Sequence, residues 1–381
     1  MRFALEPSPN RVVFGAGCFS QLGEEVERLG AQRVFLVGTP GRKPLLSRAS
    51  DMLGPRAVGV FDAAVLHVPE AVATQARSES AAVRADAIVA IGGGSAIGVA
   101  KAIAIESGIP IVALPTTYSG SEVTPLWGVT QEGEKRTARD ARVQPRVVLY
   151  DPELTLDLPV SISGASGMNA IAHCVEALYA PDANPLTSLM AEEGIRALAA
   201  SLPAIADTPH DIAHRTTAMY GAWLAGASLG AVQMGLHHKL CHTLGGSFNL
   251  PHAETHSVLL PYTAEYNMNA ASAAMSRVAL ALGEDPPTLT FYEENPWPVG
   301  TASLDSMSEA VHPSQAPVAL FELGRRIGTP ASLADIGMRR RDLQRAADLA
   351  VERPYPNPEP VTRDGVLALL RKAFDGFPPF R

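Results

Sequence analysis

The chain has 381 residues, which is more than one hydrophobic core normally serves and predicts two domains. Its formal net charge of -8 comes without a run of basic residues, so we expect no nucleic-acid partner. Three cysteines, a start without a signal-peptide pattern and the lack of apolar runs of about 18 residues argue against export and membrane insertion. We therefore expect a cytoplasmic protein.

Short apolar runs alternate with helical stretches through the first 150 residues. Most of them are apolar at successive positions, as expected of strands that are buried on both faces of a parallel sheet. This rhythm predicts a doubly wound, Rossmann-like α/β domain, which we place at residues 1–158. The predicted strands are 33–38, 57–60, 87–91, 111–114 and 147–150.

After the first domain the strand pattern stops, and Ala- and Leu-rich stretches follow one another with Pro, Gly and Asn between them. They predict an all-α C-terminal domain at residues 159–381. The predicted helices are 165–179, 185–201, 211–230, 235–248, 271–282, 316–327, 340–351 and 362–374.

Residues 285–317 interrupt the helical pattern with many prolines and with Phe291, Tyr292 and Trp297. Irregular segments of this length are usually lids, binding loops or disordered insertions. The aromatic residues favour a packed loop over disorder. As a hypothesis, this inserted loop covers the substrate cleft.

A glycine run follows the predicted strand 87–91. Gly92, Gly93, Gly94 and Ser95 open the next helix, so their backbone amides can approach a pyrophosphate at the positive helix end. A plain tight turn would use the same residues, and the motif alone leaves both interpretations open.

A second polar loop follows the next buried strand and contains Thr116, Thr117, Ser119 and Ser121. Because the carboxyl ends of neighbouring parallel strands share one edge of the sheet, the two loops should lie side by side. Together they favour a dinucleotide cofactor over a simple turn.

The ribose end of a dinucleotide is usually read by an acid after an early strand, yet here Gly38 and Thr39 are followed by no carboxylate. A 2′-phosphate would not be repelled, so we expect NADPH to be accepted as well as NADH. Arg42 and Lys43 either attract that phosphate or are solvated surface cations.

Five of the ten histidines lie between His237 and His256. His238 and His242 are four residues apart on one predicted helix, as are Asn169 and His173 on another, so each pair shares a helix face. His252 follows Pro251 in what we predict to be a loop after the helix. We predict that these histidines form a functional pocket instead of serving only as hydrogen-bonded residues of the core. The prediction is weaker for His237 and His256.

Six ordered blocks together resemble the iron-containing alcohol dehydrogenase superfamily and, within it, the maleylacetate reductases most closely. The resemblance covers almost the whole chain. The blocks are RVVFGAG at 11–17, GGGSAIGVAKAIA at 92–104, LPTTYSGSEVTP at 114–125, YDPELTLDLP at 150–159, GMNAIAHCVEALYAPDANP at 167–185 and GLHHKLCHTLGGSFNLPHAETH at 235–256.

The resemblance implies a dehydroquinate synthase-like architecture and a homodimer. It also implies reduction of maleylacetate, an unsaturated oxo-dicarboxylate, to 3-oxoadipate with NADH or NADPH during the catabolism of aromatic compounds. The segment 285–317 looks longer than the matching connection in typical members, which leaves a larger or different unsaturated acid open as substrate.

In the metal-dependent members an Asp and three His hold the ion, and these map here to Asn169, His173, His238 and His252. Because Asn169 is neutral, the set lacks its anionic ligand, so we expect an enzyme without metal. Were a metal retained, His173, His238 and His252 would hold it. Otherwise we assign Asn169, His173 and His252 to substrate binding.

Hydride addition to a conjugated double bond develops an enolate, which hydrogen-bond donors can stabilise without a Lewis acid. The family implies His242 as the proton donor, since the matching histidine stands beside the reacting centre, and His238 is the substitute. Lys239 is the first candidate to bind the dianionic substrate, against a solvated lysine. For Arg139 and Arg142 the solvated interpretation is preferred.

Tyr118 either donates a hydrogen bond to a substrate carboxylate or packs in the core. Two rival functions remain at this point. One is a metal-dependent alcohol or polyol dehydrogenase on the same fold, against which Asn169 argues. The other is a cofactor-binding module that has lost turnover or serves a non-redox reaction, which the intact glycine and histidine motifs disfavour.

Overall fold

In the computed structural model, which describes residues 10–131, 134–283 and 312–380, six parallel strands form one sheet with order β1-β8-β5-β4-β2-β3. An antiparallel hairpin of β6 and β7 stands apart from it. The strands are β1 Arg11–Phe14, β2 Val34–Gly38, β3 Ala57–Phe61, β4 Ala87–Gly92, β5 Ile111–Pro115, β6 Leu126–Gln131, β7 Glu134–Arg139 and β8 Val147–Tyr150.

The central strands β2, β4, β5 and β8 are buried at every residue, which explains why their sequences are apolar throughout. All five predicted strands are present, and the α/β fold class is confirmed. The sequence prediction missed β1 at the sheet edge and the hairpin. Both are short or polar, and edge position leaves little apolar pattern to detect.

Helices cover the sheet on both faces. The helix α4 is the most buried of them, because it packs between the sheet and the hairpin. Its C-terminus ends at Gly108 in a left-handed conformation, φ 71°. The helices of this part are α1 Leu22–Arg28, α2 Lys43–Leu53, α3 Glu70–Ala82 and α4 Gly94–Ser107.

The rest of the described chain is helical. Every predicted helix is present, but the sequence prediction missed α9, because it took His252 as part of a loop and Pro261 interrupts the apolar run. Among the described helices none is long and apolar enough to span a membrane. The helices are α5 Val160–Tyr179, α6 Pro185–Asp207, α7 Ile212–Ala231, α8 Leu236–Phe248, α9 His252–Asn267, α10 Ser272–Gly283, α11 Gln315–Arg326, α12 Leu343–Val351 and α13 Arg363–Asp375.

The sheet and the helical part meet between the end of β8 and the start of α5. Arg215 of α7, fully buried, donates hydrogen bonds to the Leu158 carbonyl at 3.0 Å and to Ser163 Oγ at 2.7 Å. This buried guanidinium fastens α7 to the segment that leads from the sheet into α5. The exact division at residue 158 stays a prediction.

The predicted loop 285–317 lies mostly outside the described residues, up to residue 311. Its end is described: α11 begins at Gln315, so the loop prediction is wrong for residues 315–317. The hypothesis of a cover over the cleft stays a prediction.

Candidate active site

The two polar loops meet at the carboxyl edge of the sheet, as their strand positions predict. Gly92 pairs with Pro115 in register, and the amide of Thr116 donates to the Gly92 carbonyl at 3.2 Å. A Cβ atom on Gly93 would lie 2.7 Å from Thr117 Oγ1. The absence of a side chain at Gly93 therefore lets the second loop sit directly against the first and leaves bare backbone at the start of α4.

Bare backbone at the start of a helix fits a pyrophosphate, because the free amides carry the positive end of the helix dipole. Gly94 begins α4, and Ser95 lies in its first turn. A cleft of about 620 Å³ opens beside them, lined by Ser95 and Thr39 from one side and by Asn249 and Pro251 from the other. The residues present thus fit a dinucleotide in this cleft.

At the predicted ribose end, Gly38 allows α2 to pack closely, since a Cβ there would lie 2.8 Å from a methyl group of Leu46. Lys43 forms an exposed ion pair with Asp62 at 3.0 Å. Burial lowers the pKa of Arg42 from its ordinary value. The preference between NADH and NADPH stays a prediction.

A buried lysine holds the far side of the second loop. Lys101 of α4 is fully buried, and its ammonium donates to the carbonyls of Ser121 at 2.6 Å, Thr124 at 2.8 Å and Leu126 at 2.6 Å. Burial lowers the pKa of Lys101 to about 7. These bonds fasten the segment that follows Ser121 onto α4.

The same loop is tied to the sheet through a buried acid. Ser119 Oγ donates to Glu122 at 3.2 Å, and the Tyr150 hydroxyl donates to Glu122 at 2.9 Å. Burial raises the pKa of Glu122. Loop positions that sequence analysis assigned to a cofactor, Ser119 and Ser121, are thus held from both ends.

Two glycines bring this loop to the histidines. Gly120 has φ 77°, and a Cβ on Gly226 of α7 would lie 2.7 Å from the Gly120 Cα. At this contact the Ser119 carbonyl oxygen lies 3.2 Å from His173 Nε2. The predicted cofactor loop and the predicted substrate pocket are therefore in direct contact.

Tyr118 points away from this meeting point. Its side chain is fully buried, and its hydroxyl accepts a hydrogen bond from Arg215 at 3.3 Å. Burial raises the pKa of Tyr118. Of the two interpretations of Tyr118, the geometry favours packing over substrate binding.

The histidines converge as predicted, and they do so from three helices instead of a helix and a loop. Neighbouring ring centroids lie 4.5 to 6.3 Å apart. Side chains that are remote in sequence thus form one continuous cluster. Its members are His173 on α5, His237, His238 and His242 on α8, and His252 and His256 on α9.

The cluster has two layers. His242 and His252 are half-buried, and their rings stack with centroids 6.3 Å apart and planes at 13°. We call this pair the cleft layer. The other four rings, of His173, His237, His238 and His256, are buried and form the deep layer.

Part of the deep layer is structural. His237 Nδ1 lies 2.9 Å from Thr263 Oγ1, and His237 Nε2 lies 2.9 Å from His256 Nδ1. Burial lowers the pKa of His237 to about 3, so its ring is neutral near neutral pH. This buried position agrees with the sequence analysis, which favoured a functional role less strongly for His237 and His256 than for the other histidines.

Glu176 anchors the deep layer. It accepts hydrogen bonds from the backbone amides of Gly235 at 3.2 Å and His237 at 2.9 Å, at the start of α8, and from His238 Nδ1 at 2.5 Å. Burial alone would raise the pKa of Glu176, but its hydrogen bond and charge interaction with His238 lower it to about 2. An ionised carboxylate therefore fixes both the helix start and the ring of His238.

A hydrogen-bonded chain runs from Glu176 to Asn169. His238 donates from Nδ1 to Glu176 and accepts at Nε2 from His173 Nδ1, 2.8 Å away. Asn169 Nδ2 lies 3.4 Å from His173 Nε2, so that nitrogen can accept in turn. Burial lowers the pKa of His173, which favours a neutral ring. Its Nε2 then either accepts from Asn169 or donates to the Ser119 carbonyl, 3.2 Å away, but not both. Both nitrogens of His238 are then engaged.

The family metal does not fit these residues. The buried Asn169 Oδ1 has no partner among the described residues, but it belongs to a neutral amide, whereas His173 and His238 bind each other. In the described part of the chain, one group of His, Cys, Asp or Glu brings ligand atoms within 4.8 Å of one another, namely His237, Cys241 and His256. Burial raises the pKa of the Cys241 thiol, which keeps it neutral and a poor ligand.

The predicted substrate cations occupy different surroundings. Lys239 is half-buried on α8, and its ammonium makes no hydrogen bond or ion pair with a described residue. Arg139 ends strand β7 and donates to the Gly230 carbonyl at 2.7 Å. Arg142 pairs with Asp140 at 2.7 Å. The contacts of both arginines agree with the preferred interpretation that they do not bind substrate, and the role of Lys239 stays a prediction.

Sequence analysis missed three residues of the site. Glu176 continues the helix face of Asn169 and His173, three residues after His173, and that spacing was a usable signal. Lys101 is a lone charge in an apolar helix, which indicates a buried partner. His67, which lines the cleft, carries no comparable sequence signal.

A parallel sheet with a bare glycine loop, facing a helical wall of imidazoles, defines a two-domain, nucleotide-dependent oxidoreductase. Residues 9–152 match the family described as iron-containing alcohol dehydrogenase, and residues 163–374 match the C-terminal part of the Fe-containing alcohol dehydrogenase family. The chain belongs to the iron-containing alcohol dehydrogenase family, as the sequence resemblance implied.

Several relatives share nearly the full length of the chain. A maleylacetate reductase of Burkholderia cepacia is 51% identical over 99% of both chains, and one of Pseudomonas sp. is 46% identical over 100% of this chain and 99% of its own. The crystal structure of maleylacetate reductase from Agrobacterium tumefaciens is 44% identical, covers 100% of both chains and superimposes with a TM-score of 0.88. The predicted resemblance to these reductases is confirmed.

Proposed function

We propose that the protein reduces the conjugated double bond of maleylacetate to give 3-oxoadipate, with NADH or NADPH as reductant. The observation that carries this proposal is the cleft layer: two stacked, half-buried histidines, one of which directly follows Pro251 of the cleft lining, in a site whose family metal ligand is replaced by Asn169. Full-length identity of up to 51% to maleylacetate reductases supports the choice of substrate.

A reduced nicotinamide bound in the cleft would supply a hydride. The chain must then stabilise the enolate that forms at the ketone of the substrate and must protonate the neighbouring carbon. We assign protonation to His242, because its ring is half-buried and stacks on His252, which follows the cleft residue Pro251, whereas His238 is buried behind it. His238 therefore becomes a positioning residue in place of the substitute acid first considered.

The substrate carries two carboxylates, and neutral imidazoles alone would bind a dianion weakly. We assign one of the required cations to Lys239, whose ammonium makes no bond to a described residue. Asn169 Oδ1, His173 and His252 complete the proposed substrate wall. The bare backbone at 92–95, with Gly38, Thr39, Thr116, Thr117, Ser119 and Ser121, is our proposed cofactor wall.

We further propose that turnover needs no metal. The donor set supports this, since a neutral amide stands at the anionic position and two of the three candidate histidines bind each other. An enolate needs hydrogen-bond donors, not a Lewis acid, and the site offers them. A homodimer in the cytoplasm that acts in aromatic catabolism is the remaining part of the proposal, and it rests on the family resemblance.

The test is oxidation of NADH and of NADPH with freshly prepared maleylacetate, using enzyme treated with a chelator and assayed for metal. Rapid turnover by protein without metal is the expected result. Turnover that requires stoichiometric iron or zinc, together with oxidation of simple alcohols, would establish the metal-dependent alternative. Cofactor binding without consumption of maleylacetate would refute the substrate assignment.

A further inference from the structure

The loop between β3 and α3 forms the cleft wall opposite the histidine helix. Within it, two successive residues other than glycine have left-handed backbone, His67 with φ 63° and Val68 with φ 46°. A β-branched residue rarely adopts this conformation. Such backbone strain persists where the surroundings enforce it, and it is common at ligand sites.

Neighbouring elements hold this loop firmly. Thr130 of β6 donates through Oγ1 to the His67 carbonyl at 2.7 Å and through its amide to the Val68 carbonyl at 3.0 Å. Val68 is 5% exposed and packs on α4, where a Cβ on Gly98 would lie 2.7 Å from Val68 Cγ2. The backbone from which the His67 side chain projects is therefore set by the fold.

The imidazole of His67 reaches across to the histidine helix. Its Cε1 atom lies 3.5 Å from the position of a Cβ on Gly245 of α8, and Gly245 is three residues after His242. His67 is half-buried and lines the same cleft as Ser95 and Pro251. It therefore stands on the wall that faces the cleft layer.

The chemistry of this wall singles out His67. The preceding residues Ala64, Val65 and Leu66 are apolar, and Thr39 and Ser95 lie at the cofactor loops. On this wall, formed by residues 64–67, His67 has the side chain that can carry a positive charge. The substrate needs such a donor, because its second carboxylate is carried on a saturated arm beyond the ketone.

We propose that His67 is a substrate-binding residue that donates a hydrogen bond to the carboxylate on the saturated arm of the substrate, and so selects dicarboxylates. This inference rests on the proposed reduction of maleylacetate. The cleft would then hold one end of the substrate through the N-terminal part of the chain and the reacting end through the histidine helices.

The test compares two substrates with two variants. His67→Gly removes the imidazole but accepts the left-handed backbone, and Arg84→Gly, the matched control, removes an exposed side chain from another left-handed position, φ 50°, outside the cleft lining. The substrates are maleylacetate and 4-oxopent-2-enoate, which keeps the unsaturated ketone and one carboxylate but ends in a methyl group.

We expect His67→Gly to lower kcat/KM for maleylacetate about 10- to 100-fold, mainly through KM, since a charged hydrogen bond is lost. Activity with 4-oxopent-2-enoate and the Kd of NADH should change by less than about threefold, and Arg84→Gly should resemble the wild type. Equal losses with both substrates, a weakened NADH complex or an equal effect of Arg84→Gly would each overturn the proposal. A wild-type enzyme inactive on maleylacetate would instead overturn the proposed function and this inference with it.

Discussion

The two walls of the cleft differ in the chemical groups that they present to a ligand. The N-terminal wall presents backbone, kept bare by Gly92 and Gly93, whereas the C-terminal wall presents imidazole rings in two layers. A backbone wall is specified by a local motif between one strand and one helix. A side-chain wall depends on three helices that meet only in the folded chain, so its chemistry is a property of tertiary packing.

The walls also differ in how they handle charge. The N-terminal wall offers the positive end of α4 and is held from behind by the buried ammonium of Lys101. The C-terminal wall buries the ionised Glu176 behind the histidine cluster, hydrogen-bonded to His238. One wall is thus suited to the phosphates of a cofactor and the other to moving a proton.

The largest predicted effect lies in the cleft layer. His242→Ala should lower kcat by about 10² to 10⁴, because it removes the proposed proton donor, while the Kd of NADH stays nearly unchanged. Steady-state kinetics and fluorescence titration measure the two quantities. His214→Ala, on the outer face of α7, is the matched control and should behave as the wild type. Near-normal turnover of His242→Ala would remove it from that role.

Replacing Asn169 by aspartate restores the carboxylate that the metal-dependent members have at this position, and it should restore metal binding. Asn169→Asp should raise the affinity of the protein for Zn²⁺ by roughly 100-fold, because an anionic ligand joins the histidines. Competition against a chelator measures this affinity. Asn184→Asp is the control, since it adds the same charge at the N-terminus of α6, where an aspartate is accepted. Equal affinities of the two variants would contradict the importance of Asn169.

A glycine-to-alanine substitution, which adds one methyl group, tests the backbone wall. Gly93→Ala places a Cβ 2.7 Å from Thr117 Oγ1 and should raise the Kd of NADH about tenfold, because the two loops must move apart. Isothermal titration calorimetry provides the Kd. Gly23→Ala in α1 is the control, since the nearest atom to its Cβ is 4.0 Å away. An unchanged Kd for Gly93→Ala would show that the loop contact does not shape the cofactor wall.

The difference between the walls also explains what the sequence could predict. The strands and the loop at Gly92 follow from local apolar runs and glycines, and they are present as predicted. The convergence of histidines was predicted, but their division into layers was not, because burial depends on how α5, α8 and α9 pack. Glu176 and His67 make their contacts with segments that are remote in sequence. The side chain of Tyr118 likewise lies in the core, where Arg215, 97 residues away, donates a hydrogen bond to its hydroxyl.

The smallest effect concerns the charge behind the N-terminal wall. Because burial lowers the pKa of Lys101 to about 7 in the folded state, against 10.5 for the ordinary side chain, the unfolded chain binds more protons between these values. The free energy of unfolding should therefore rise by about 1 kcal/mol from pH 7 to pH 8 relative to Lys101→Met, which lacks the group. Urea denaturation at both pH values measures this difference. Lys43→Met, at an exposed position, is the control and should follow the wild type. If the free energy of unfolding of Lys101→Met rises between pH 7 and pH 8 by as much as that of the wild type, then Lys101 keeps its proton and holds the loop as a permanent cation.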